Sequence, residues 1–326
     1  MQKLGLILFS ICISTLIGGF IYYKMQVNVP TRQFDESSLF HPSNFNEQRF
    51  AHRGGYAFGP ENTVETILQN IRQRNITAIE VDVMMSKDGE LFLFHDDYVD
   101  RLLNYNEKRL FTDFTAQELS GLSLRDTTFG EIGLTTLAQL VDSLRIVAIN
   151  DQLPILVELD FKPNGDQTKP AVDALMEIVN DQEEEIGEAI YEFFFVSTFF
   201  PEMLAELRSR SDKIVTAFGV HSDSPKNKWA ARAAILAAHL LVKKHQASII
   251  EPNLCMVTPT FTKRWNERGI LVNTYTVNSY CEKEYMGALP VAYTTNCPGE
   301  VCITDEEEGL GPPRNWCKLC DLSSFN

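Results

Sequence analysis

Short strand-like runs alternate with helical patterns along most of this chain, and that alternation constrains the fold more than any other feature. The runs are rich in Val, Ile, Phe and Tyr, which are typical of β-strands. The predicted strands are Arg49–His52, Ile76–Val83, Leu91–His95, Ile155–Phe161, Phe193–Ser197, Ile214–Phe218, Ser248–Glu251, Ile270–Thr276 and Val291–Thr294. The predicted helices are Thr63–Arg74, Leu137–Ile146, Lys169–Glu177, Pro201–Ser209, Trp229–Val242, Thr258–Glu267 and Ser279–Tyr285. Repeated strand-then-helix units indicate a parallel sheet, and eight of them close a TIM (β/α)8 barrel, which fits 326 residues.

The barrel is predicted to be irregular near its second and third strands. Nine strands are one too many for eight units, and Asp88-Gly89 joins two of them too tightly for a helical crossover. A second irregular stretch runs from Asp100 to Thr135 and holds a short capped helical turn at Phe114–Leu119. This excursion is interpreted either as part of a lid over the site or as a plain surface crossover.

The N-terminus is predicted to lie outside the folded domain. Leu4 to Tyr23 is nearly all apolar, and about 20 such residues can cross a bilayer as a helix. A retained anchor is preferred over a cleaved signal peptide, whose apolar core is usually shorter. The predicted organisation is a transmembrane signal anchor at 1–24, a polar stem at 25–48, the barrel domain at 49–302 and an acidic, cysteine-containing tail at 303–326.

Cysteine placement predicts the compartment. Most of the cysteines fall in the last quarter of the chain: Cys255, Cys281, Cys297, Cys302, Cys317 and Cys320. An even cluster in a chain that enters the secretory route favours disulfides over buried free thiols or a zinc half-site at Cys317-x-x-Cys320. Asn75-Ile76-Thr77 is a glycosylation sequon that only the lumenal side would use. The domain is therefore predicted to be lumenal or extracellular, on a single-pass membrane protein.

The charge balance restricts the partners. The chain has 29 basic and 44 acidic side chains, which give a formal net charge of −15. This charge argues against nucleic-acid binding, because a phosphate backbone needs a basic footprint. An anionic substrate would need a local cationic pocket, which a bound metal can help to build.

Three carboxylates at strand ends form a predicted metal site. Glu80 and Asp82 are two residues apart on one strand, so their side chains point the same way, about 7 Å apart at the backbone. Two carboxylates aimed into a barrel repel each other unless a cation lies between them. Asp160 would add a third carboxylate from another strand, with Glu158 one layer deeper, and oxygen-only ligation fits Mg²⁺ or Ca²⁺. The alternative is an edge strand on which Glu80 and Asp82 are merely solvated.

Two histidines and two cations accompany these carboxylates. His52 and His95 each follow a predicted strand beside a charged residue, and two histidines can serve as acid and base near neutral pH. Arg53 can hold a phosphate with its guanidinium fork, and the glycines after it let the backbone approach a ligand. Lys162 is interpreted as reaching a substrate phosphate, and a structural ion pair with Asp160 is the alternative. These side chains are predicted to meet, because catalytic residues of a barrel cluster at the C-terminal ends of its strands.

Taken together, these motifs resemble the glycerophosphodiester phosphodiesterase family. The resemblance covers Phe50 to Pro298 and rests on HRGG, PENT, EVDV, HD, DFK, NTYTVN and YTTNCP. It implies a TIM barrel with a divalent metal, Mg²⁺ in the first place and Ca²⁺ as the alternative. The anchor and the sequon are most similar to the membrane-anchored animal glycoproteins of the family that act on glycerophosphoinositol. The resemblance implies His52 and His95 as general acid and base, Glu80, Asp82 and Asp160 as metal ligands, Arg53 and Lys162 as phosphate-binding residues, and Glu61, Asn62 and Tyr275 as pocket residues.

A few positions depart from the family pattern. Tyr275 stands where the family usually has tryptophan, and Asn296 stands where it usually has aspartate. Leu102 and Leu103 replace the usual threonines after Arg101. These changes leave the chemistry intact and leave the substrate alcohol open.

The predicted function is metal-dependent hydrolysis of glycerophosphodiesters, such as glycerophosphoinositol, to sn-glycerol 3-phosphate and an alcohol. A lysophospholipase D is the first alternative; an apolar entry groove would favour it, and a small polar pocket would favour the soluble diester. An inactive extracellular binding domain is the second alternative, and the presence of both histidines and all three carboxylates argues against it. The predicted partners are a small-molecule substrate and, through the anchor, a membrane.

Overall fold

Eight parallel strands close into a barrel in the computed structural model, which describes residues 32–125, 130–221 and 228–299. The strands are β1 Arg49–Ala51, β2 Ala78–Met85, β3 Leu91–Leu93, β4 Leu156–Phe161, β5 Phe194–Thr198, β6 Val215–Val220, β7 Ile249–Pro252, β8 Leu271–Thr274 and β9 Ala292–Thr295. All except β3 run parallel, and β1 pairs with both β9 and β2, which closes the ring. The predicted TIM barrel is therefore confirmed.

The predicted irregularity lies at β3. This short strand pairs antiparallel with β2, with Val83 opposite Leu93. β4 occupies the other side of β2, so β3 extends the side on which Ile79 pairs with Ala51 of β1. A tight turn can only reverse the chain direction, so the strand after it runs antiparallel to β2. For this reason β3 does not become a ninth parallel strand of the barrel.

An outer layer of helices covers the strands. The helices are α1 Pro42–Phe45, α2 Val64–Arg74, α3 Ala116–Ser120, α4 Leu137–Asp151, α5 Thr168–Ile186, α6 Ile190–Phe193, α7 Pro201–Arg210, α8 Lys228–His245, α9 Pro259–Asn266 and α10 Tyr280–Gly287. Val81 and Val83 of β2 and Leu159 of β4 are buried in one apolar cluster with residues of α2, α4 and α5. Because side chains alternate along a strand, Glu80 and Asp82 face the barrel interior, which excludes the alternative of a solvated edge strand.

Aromatic rings fill the N-terminal end of the barrel. Phe50 of β1 and Phe195 of β5 are fully buried there, with ring centroids 5.6 Å apart. Phe40 and Phe45 are also fully buried and pack against Phe195. Burying a side chain of this size contributes about 1.5–3 kcal/mol. The segment 25–48, predicted as a polar stem, is therefore not a free linker over its second half, because its aromatic residues complete the barrel core.

The excursion from Asp100 to Thr135 contributes to a small hydrophobic core beside the barrel. Phe111 and Phe94 are buried there, with ring centroids 4.7 Å apart. The predicted helical turn is confirmed as α3, which Thr115 caps in a capping box with Glu118. The excursion also carries Arg101, which reaches the candidate site described below.

The predicted anchor, Leu4–Tyr23, and the predicted tail at 303–326 lie outside the described residues. Within the described ranges, no helix combines the length and the apolar character needed to span a bilayer. Cys281 carries a free, exposed thiol. Cys302, Cys317 and Cys320 lie outside the described residues, and disulfides among the remaining cysteines stay a prediction.

Candidate active site

Three carboxylates converge towards the C-terminal end of the barrel interior. Glu80 and Asp82 come from β2 and Asp160 comes from β4, and Asp82 and Asp160 are register partners in the parallel ladder. One oxygen atom from each of the three lies within 4.8 Å of the others. Glu80 and Asp82 are only 4% and 1% exposed, so water screens their charges poorly.

Two cations partly neutralise this cluster. Lys162 Nζ lies 2.9 Å from Asp82 Oδ1 and also donates to Asp160. Arg53 Nε lies 3.5 Å from Asp82 Oδ2, and the Arg53 backbone N–H donates to Glu80 Oε2 at 2.6 Å. Burial alone would raise the pKa of Asp82, but the neighbouring cations, with Lys162 the strongest, lower it well below its usual range.

The pKa of Glu80 shifts the other way. Burial raises it well above its ordinary value, the charges of Asp82 and Asp160 raise it further, and the Arg53 backbone N–H offsets only part of this. Asp160 Oδ1 is buried without a hydrogen-bond partner among the described residues. Burial likewise raises the pKa of Asp160, although Lys162 opposes the rise. Arg53 and Lys162 therefore supply less positive charge than the three carboxylates need to remain ionised.

A divalent cation fits this deficit. When all three carboxylates are ionised, they exceed the charges of Arg53 and Lys162 by one, and this excess would repel an anionic phosphodiester. Adding two positive charges removes the excess and balances the single charge of such a diester. Carboxylate oxygens are the ligands that Mg²⁺ and Ca²⁺ prefer, and the bare Asp160 oxygen is free to serve as one.

The loop after β1 turns sharply at Gly54 and Gly55. Their φ angles are +78° and +87°, in the region that favours glycine. A Cβ atom on Gly54 would lie 2.6 Å from Cγ1 of Ile67 on α2. The glycines therefore let α2 pack against the loop, and their predicted role in close approach to a ligand stays a prediction. Arg53 itself has a φ of 52°, a strained conformation that this packing maintains.

The PENT segment connects this loop to the carboxylates. Asn62 Nδ2 donates to Asp82 Oδ2 at 2.9 Å, and Asn62 Oδ1 accepts from the Asp82 backbone N–H at 3.1 Å. Glu61 Oε1 accepts from Arg53 Nη1 at 2.9 Å. Thr63 caps α2 and so fixes where the segment ends. Both predicted pocket residues of this segment therefore contact charged side chains of the site directly.

His52 lies at the edge of the carboxylate cluster, with Nε2 4.0 Å from Glu80 Oε2. Its Nδ1 is 2.7 Å from Asn296 Oδ1. An amide oxygen can only accept, so in this arrangement Nδ1 carries the proton and Nε2 of the neutral ring has a lone pair. Burial lowers the pKa of His52, and the charge of Asp82 and the bond to Asn296 offset this only in part. A neutral imidazole of this kind is a proton acceptor.

His95 lies near enough to His52 for their charges to interact. Its Nδ1 donates to Asp96 Oδ1 at 2.7 Å. Burial alone would raise the pKa of Asp96, but hydrogen bonds from Arg101 and His95 lower it. Arg101 also donates to Glu61 Oε1 at 2.8 Å. The environment of His95 is thus linked, through Arg101 and Glu61, to the loop that carries Arg53.

Two cavities border the site, and Arg101 lines both. The larger, of about 450 Å³, includes His95 and Lys162 in its lining, and its other wall residues are Asp96, Asp97, Tyr98, Asp100, Arg101 and Lys108. The smaller, of about 280 Å³, is lined by Tyr56, Glu61 and Leu102 among others. Leu102, which departs from the family pattern, therefore lines a cavity beside the site.

Glu158 lies one layer below Asp160, as predicted, in a buried polar network. Asn273 Nδ2 donates to Glu158 Oε2 at 2.9 Å and to Glu251 Oε1 at 3.0 Å. Burial raises the pKa of both glutamates. Tyr275, predicted as a pocket residue, follows β8 and lines neither of the two cavities. Its hydroxyl donates to the Val220 carbonyl at 3.1 Å.

Three contacts of the site involve residues to which the sequence analysis assigned no role. Arg101 and Tyr56 line the cavities, and Asn296 pairs with His52. Asn296 directly follows β9, so the rule that functional residues gather at strand ends could have found it. Arg101 and Tyr56 lie in loops, where sequence alone carries no such signal.

Three carboxylates, two cations and two histidines at one end of a TIM barrel are typical of a metal-dependent phosphodiesterase. The chain belongs to the Glycerophosphoryl diester phosphodiesterase family, which it matches over residues 52–294. Glycerophosphodiester phosphodiesterase 1 of Mus musculus is 26% identical over 278 residues, which cover 77% of this chain and 78% of that protein. The Homo sapiens protein of the same name has the same identity and coverage.

Solved structures share the fold. A phosphodiesterase of Oleispira antarctica, in complex with the product sn-glycerol-3-phosphate, superposes with a TM-score of 0.60 and 21% identity, over 79% of this chain and 96% of that one. A glycerophosphodiester phosphodiesterase of Parabacteroides distasonis gives a TM-score of 0.59 and 16% identity, over 78% and 94%. At these identities the likeness concerns the fold alone.

Proposed function

We propose that this chain hydrolyses glycerophosphodiesters to sn-glycerol 3-phosphate and an alcohol, with a divalent cation held by Glu80, Asp82 and Asp160. The observation that carries the proposal is the meeting of these carboxylates, from two neighbouring strands, beside two histidines. Family membership supports the reaction class, and the Oleispira antarctica phosphodiesterase, which shares the fold, binds sn-glycerol-3-phosphate as its product. Mg²⁺ is the first candidate for the cation and Ca²⁺ the second.

Charge stabilisation is divided between the cation and two side chains. When bound, the cation supplies Lewis-acid stabilisation of the charge that develops on a nonbridging phosphate oxygen. Arg53 and Lys162 contribute to the same task by donating to phosphate oxygens. Both side chains are already held against Asp82, so little reorganisation is needed when the substrate binds. Glu61 holds the Arg53 guanidinium from its other side.

We assign His52 as the general base and His95 as the general acid. His52 Nε2 accepts the proton of the attacking group, either water or a substrate hydroxyl, as a new P–O bond forms. Attack by a hydroxyl gives a cyclic phosphate, which water must then open to yield sn-glycerol 3-phosphate. His95 donates its Nε2 proton to the alcohol oxygen as the old P–O bond breaks. The partners support this division, because Asp96 can balance the charge of a protonated His95 ring, whereas Asn296 is neutral. The His95 side chain is also more exposed than that of His52, 36% against 21%, and borders the larger cavity, where a leaving alcohol has room.

A hydroxyl-rich alcohol fits the larger cavity better than an acyl chain does. Its lining consists of charged and polar side chains, including Asp97, Asp100 and Lys108. Such groups can exchange hydrogen bonds with a polyol such as inositol, whereas an apolar chain would leave them unpaired. This lining favours a soluble glycerophosphodiester over a lysophospholipid as the substrate.

A substrate panel tests the proposal on the full chain. Glycerophosphoinositol, glycerophosphocholine and two lysophospholipids are incubated separately with Mg²⁺ or Ca²⁺, and sn-glycerol 3-phosphate and the released alcohol are quantified. We expect kcat/KM for the soluble diesters to exceed that for the lysophospholipids by about tenfold or more. Faster turnover of the lysophospholipids would instead make the chain a lysophospholipase D. An absence of product from every substrate would leave the inactive binding domain as the remaining interpretation.

We also propose that Leu4–Tyr23 anchors the chain in a membrane and that the barrel domain is lumenal or extracellular. The length and apolar character of that segment support the anchor. Asn75 of the sequon is exposed just after α2, where a glycan would not disturb the core. We expect the full chain to stay with membranes in an alkaline carbonate wash, and an endoglycosidase to increase its mobility in gels. Asn75→Gln is the matched control and should abolish that shift; release of the chain by carbonate would contradict the anchor.

A further inference from the structure

The two histidines of the site have partners of different charge. Asn296 Oδ1, a neutral acceptor, lies 2.7 Å from His52 Nδ1, although the two residues are 244 positions apart in sequence. Asp96 Oδ1, a carboxylate oxygen, lies at the same distance of 2.7 Å from His95 Nδ1. The hydrogen-bond distance is therefore the same at both rings, whereas the two acceptors differ in charge.

Two further hydrogen bonds hold Asn296 in place, one from its backbone and one from its side-chain amide. Its backbone N–H donates to Asn278 Oδ1 at 2.9 Å, and its side-chain Nδ2 donates to the Tyr56 hydroxyl at 2.6 Å. The Tyr56 ring in turn packs edge-on against the His52 ring, with centroids 5.7 Å apart. Main chain, Oδ1 and Nδ2 are thus all bonded, and the plane of the amide is set relative to the imidazole.

We propose that Asn296 is a positioning residue that holds His52 in the Nδ1–H tautomer, so that the Nε2 lone pair faces the reacting atoms while the site gains no further negative charge. The inference rests on the proposed role of His52 as the general base. A reversed amide would donate from Nδ2 to Nδ1 and leave the proton on Nε2, which then could not accept one. A neutral acceptor matters here because the carboxylates already outnumber the cations around them.

Two substitutions separate the orienting effect from the charge effect. Asn296→Ala removes the acceptor, so both tautomers become populated, and we expect kcat to fall about 10- to 100-fold with KM nearly unchanged. Asn296→Asp keeps an acceptor and offers no N–H, so we expect it to retain most of the wild-type kcat. Its added negative charge should raise KM, because it repels the anionic diester. A wild-type kcat in Asn296→Ala would overturn the proposal, and so would an Asn296→Asp variant as slow as Asn296→Ala.

A spectroscopic measurement tests the tautomer without any turnover. The full chain is labelled with ¹⁵N-histidine, and the His52 signals are assigned from their loss in His52→Ala. We expect the Nδ1–H tautomer in the wild type and in Asn296→Asp, and a mixture in Asn296→Ala. A wild-type ring protonated on Nε2 would contradict the positioning role. If the full chain cleaves no glycerophosphodiester, the proposed function fails. The ¹⁵N signals of His52 still show, without any turnover, whether Asn296 sets the tautomer of the ring.

Discussion

Alanine in place of His95 or His52 should lower kcat by roughly 10²- to 10⁴-fold, the usual contribution of a general acid or base. Without His95 the alkoxide must leave unprotonated, and without His52 the attacking hydroxyl keeps its proton. The fold should survive both changes, because the two side chains lie at the mouth of the barrel, 36% and 21% exposed. Initial rates at saturating soluble diester and Mg²⁺ measure the loss, and thermal unfolding of each variant measures the stability.

The leaving group distinguishes the acid from the base. A nitrophenyl ester of glycerol phosphate releases an alcohol that needs no protonation, so His95→Ala should lose much less activity on it than on a natural diester. His52→Ala should lose activity equally on both substrates. His41→Ala is the matched control, because His41 precedes α1 at the other end of the barrel, and its rates should equal those of the wild type. Near-normal turnover in either active-site variant would remove that histidine from the mechanism.

Local patterns in the sequence predicted the barrel and the carboxylate cluster because both depend on short-range geometry. Side chains alternate along a strand, so Glu80 and Asp82 had to share a face opposite Val81 and Val83. The C-terminal ends of parallel strands lie at one edge, so Asp160 was expected at the same end of the barrel, on another strand. The register then pairs Asp82 with Asp160 directly.

Contacts that form only when the barrel closes were not predictable in the same way. Asn296 reaches His52 because β9 pairs with β1 where the barrel closes. No sequence pattern within either strand predicts that contact. Phe45 was interpreted as part of a stem, because the scattered aromatic residues of that polar segment follow neither a strand nor a helix period. Its burial depends on the open N-terminal end of the completed barrel. The sharp turn at Gly54 has a similar origin, in the close approach of Ile67 on α2.

Glutamine in place of Glu80 should separate activity from stability. The change removes one carboxylate from the cation site, so kcat/KM at fixed Mg²⁺ should fall by about 10²-fold or more. The metal-free variant should nevertheless be more stable than the wild type at pH 7. Burial and the charges of Asp82 and Asp160 raise the pKa of Glu80, so the folded state holds this proton more tightly than the unfolded state does. Stability therefore declines as pH rises above the ordinary glutamate pKa of about 4.3, and glutamine, which does not titrate, removes that loss.

Thermal unfolding with and without the cation tests how the Glu80 carboxylate affects the metal-free fold. The carboxylate either destabilises the fold by repelling Asp82 and Asp160, or stabilises it through its hydrogen bond. In EDTA, Glu80→Gln should unfold at a higher temperature than the wild type, which should itself be inactive. Added Mg²⁺ should raise the Tm of the wild type and leave that of the variant nearly unchanged. Glu184→Gln, an exposed position on α5, is the control and should follow the wild type in both conditions. If Glu80→Gln instead lowered the metal-free Tm, the hydrogen bond from the Arg53 backbone N–H would outweigh the repulsion, and the carboxylates would need no cation to coexist.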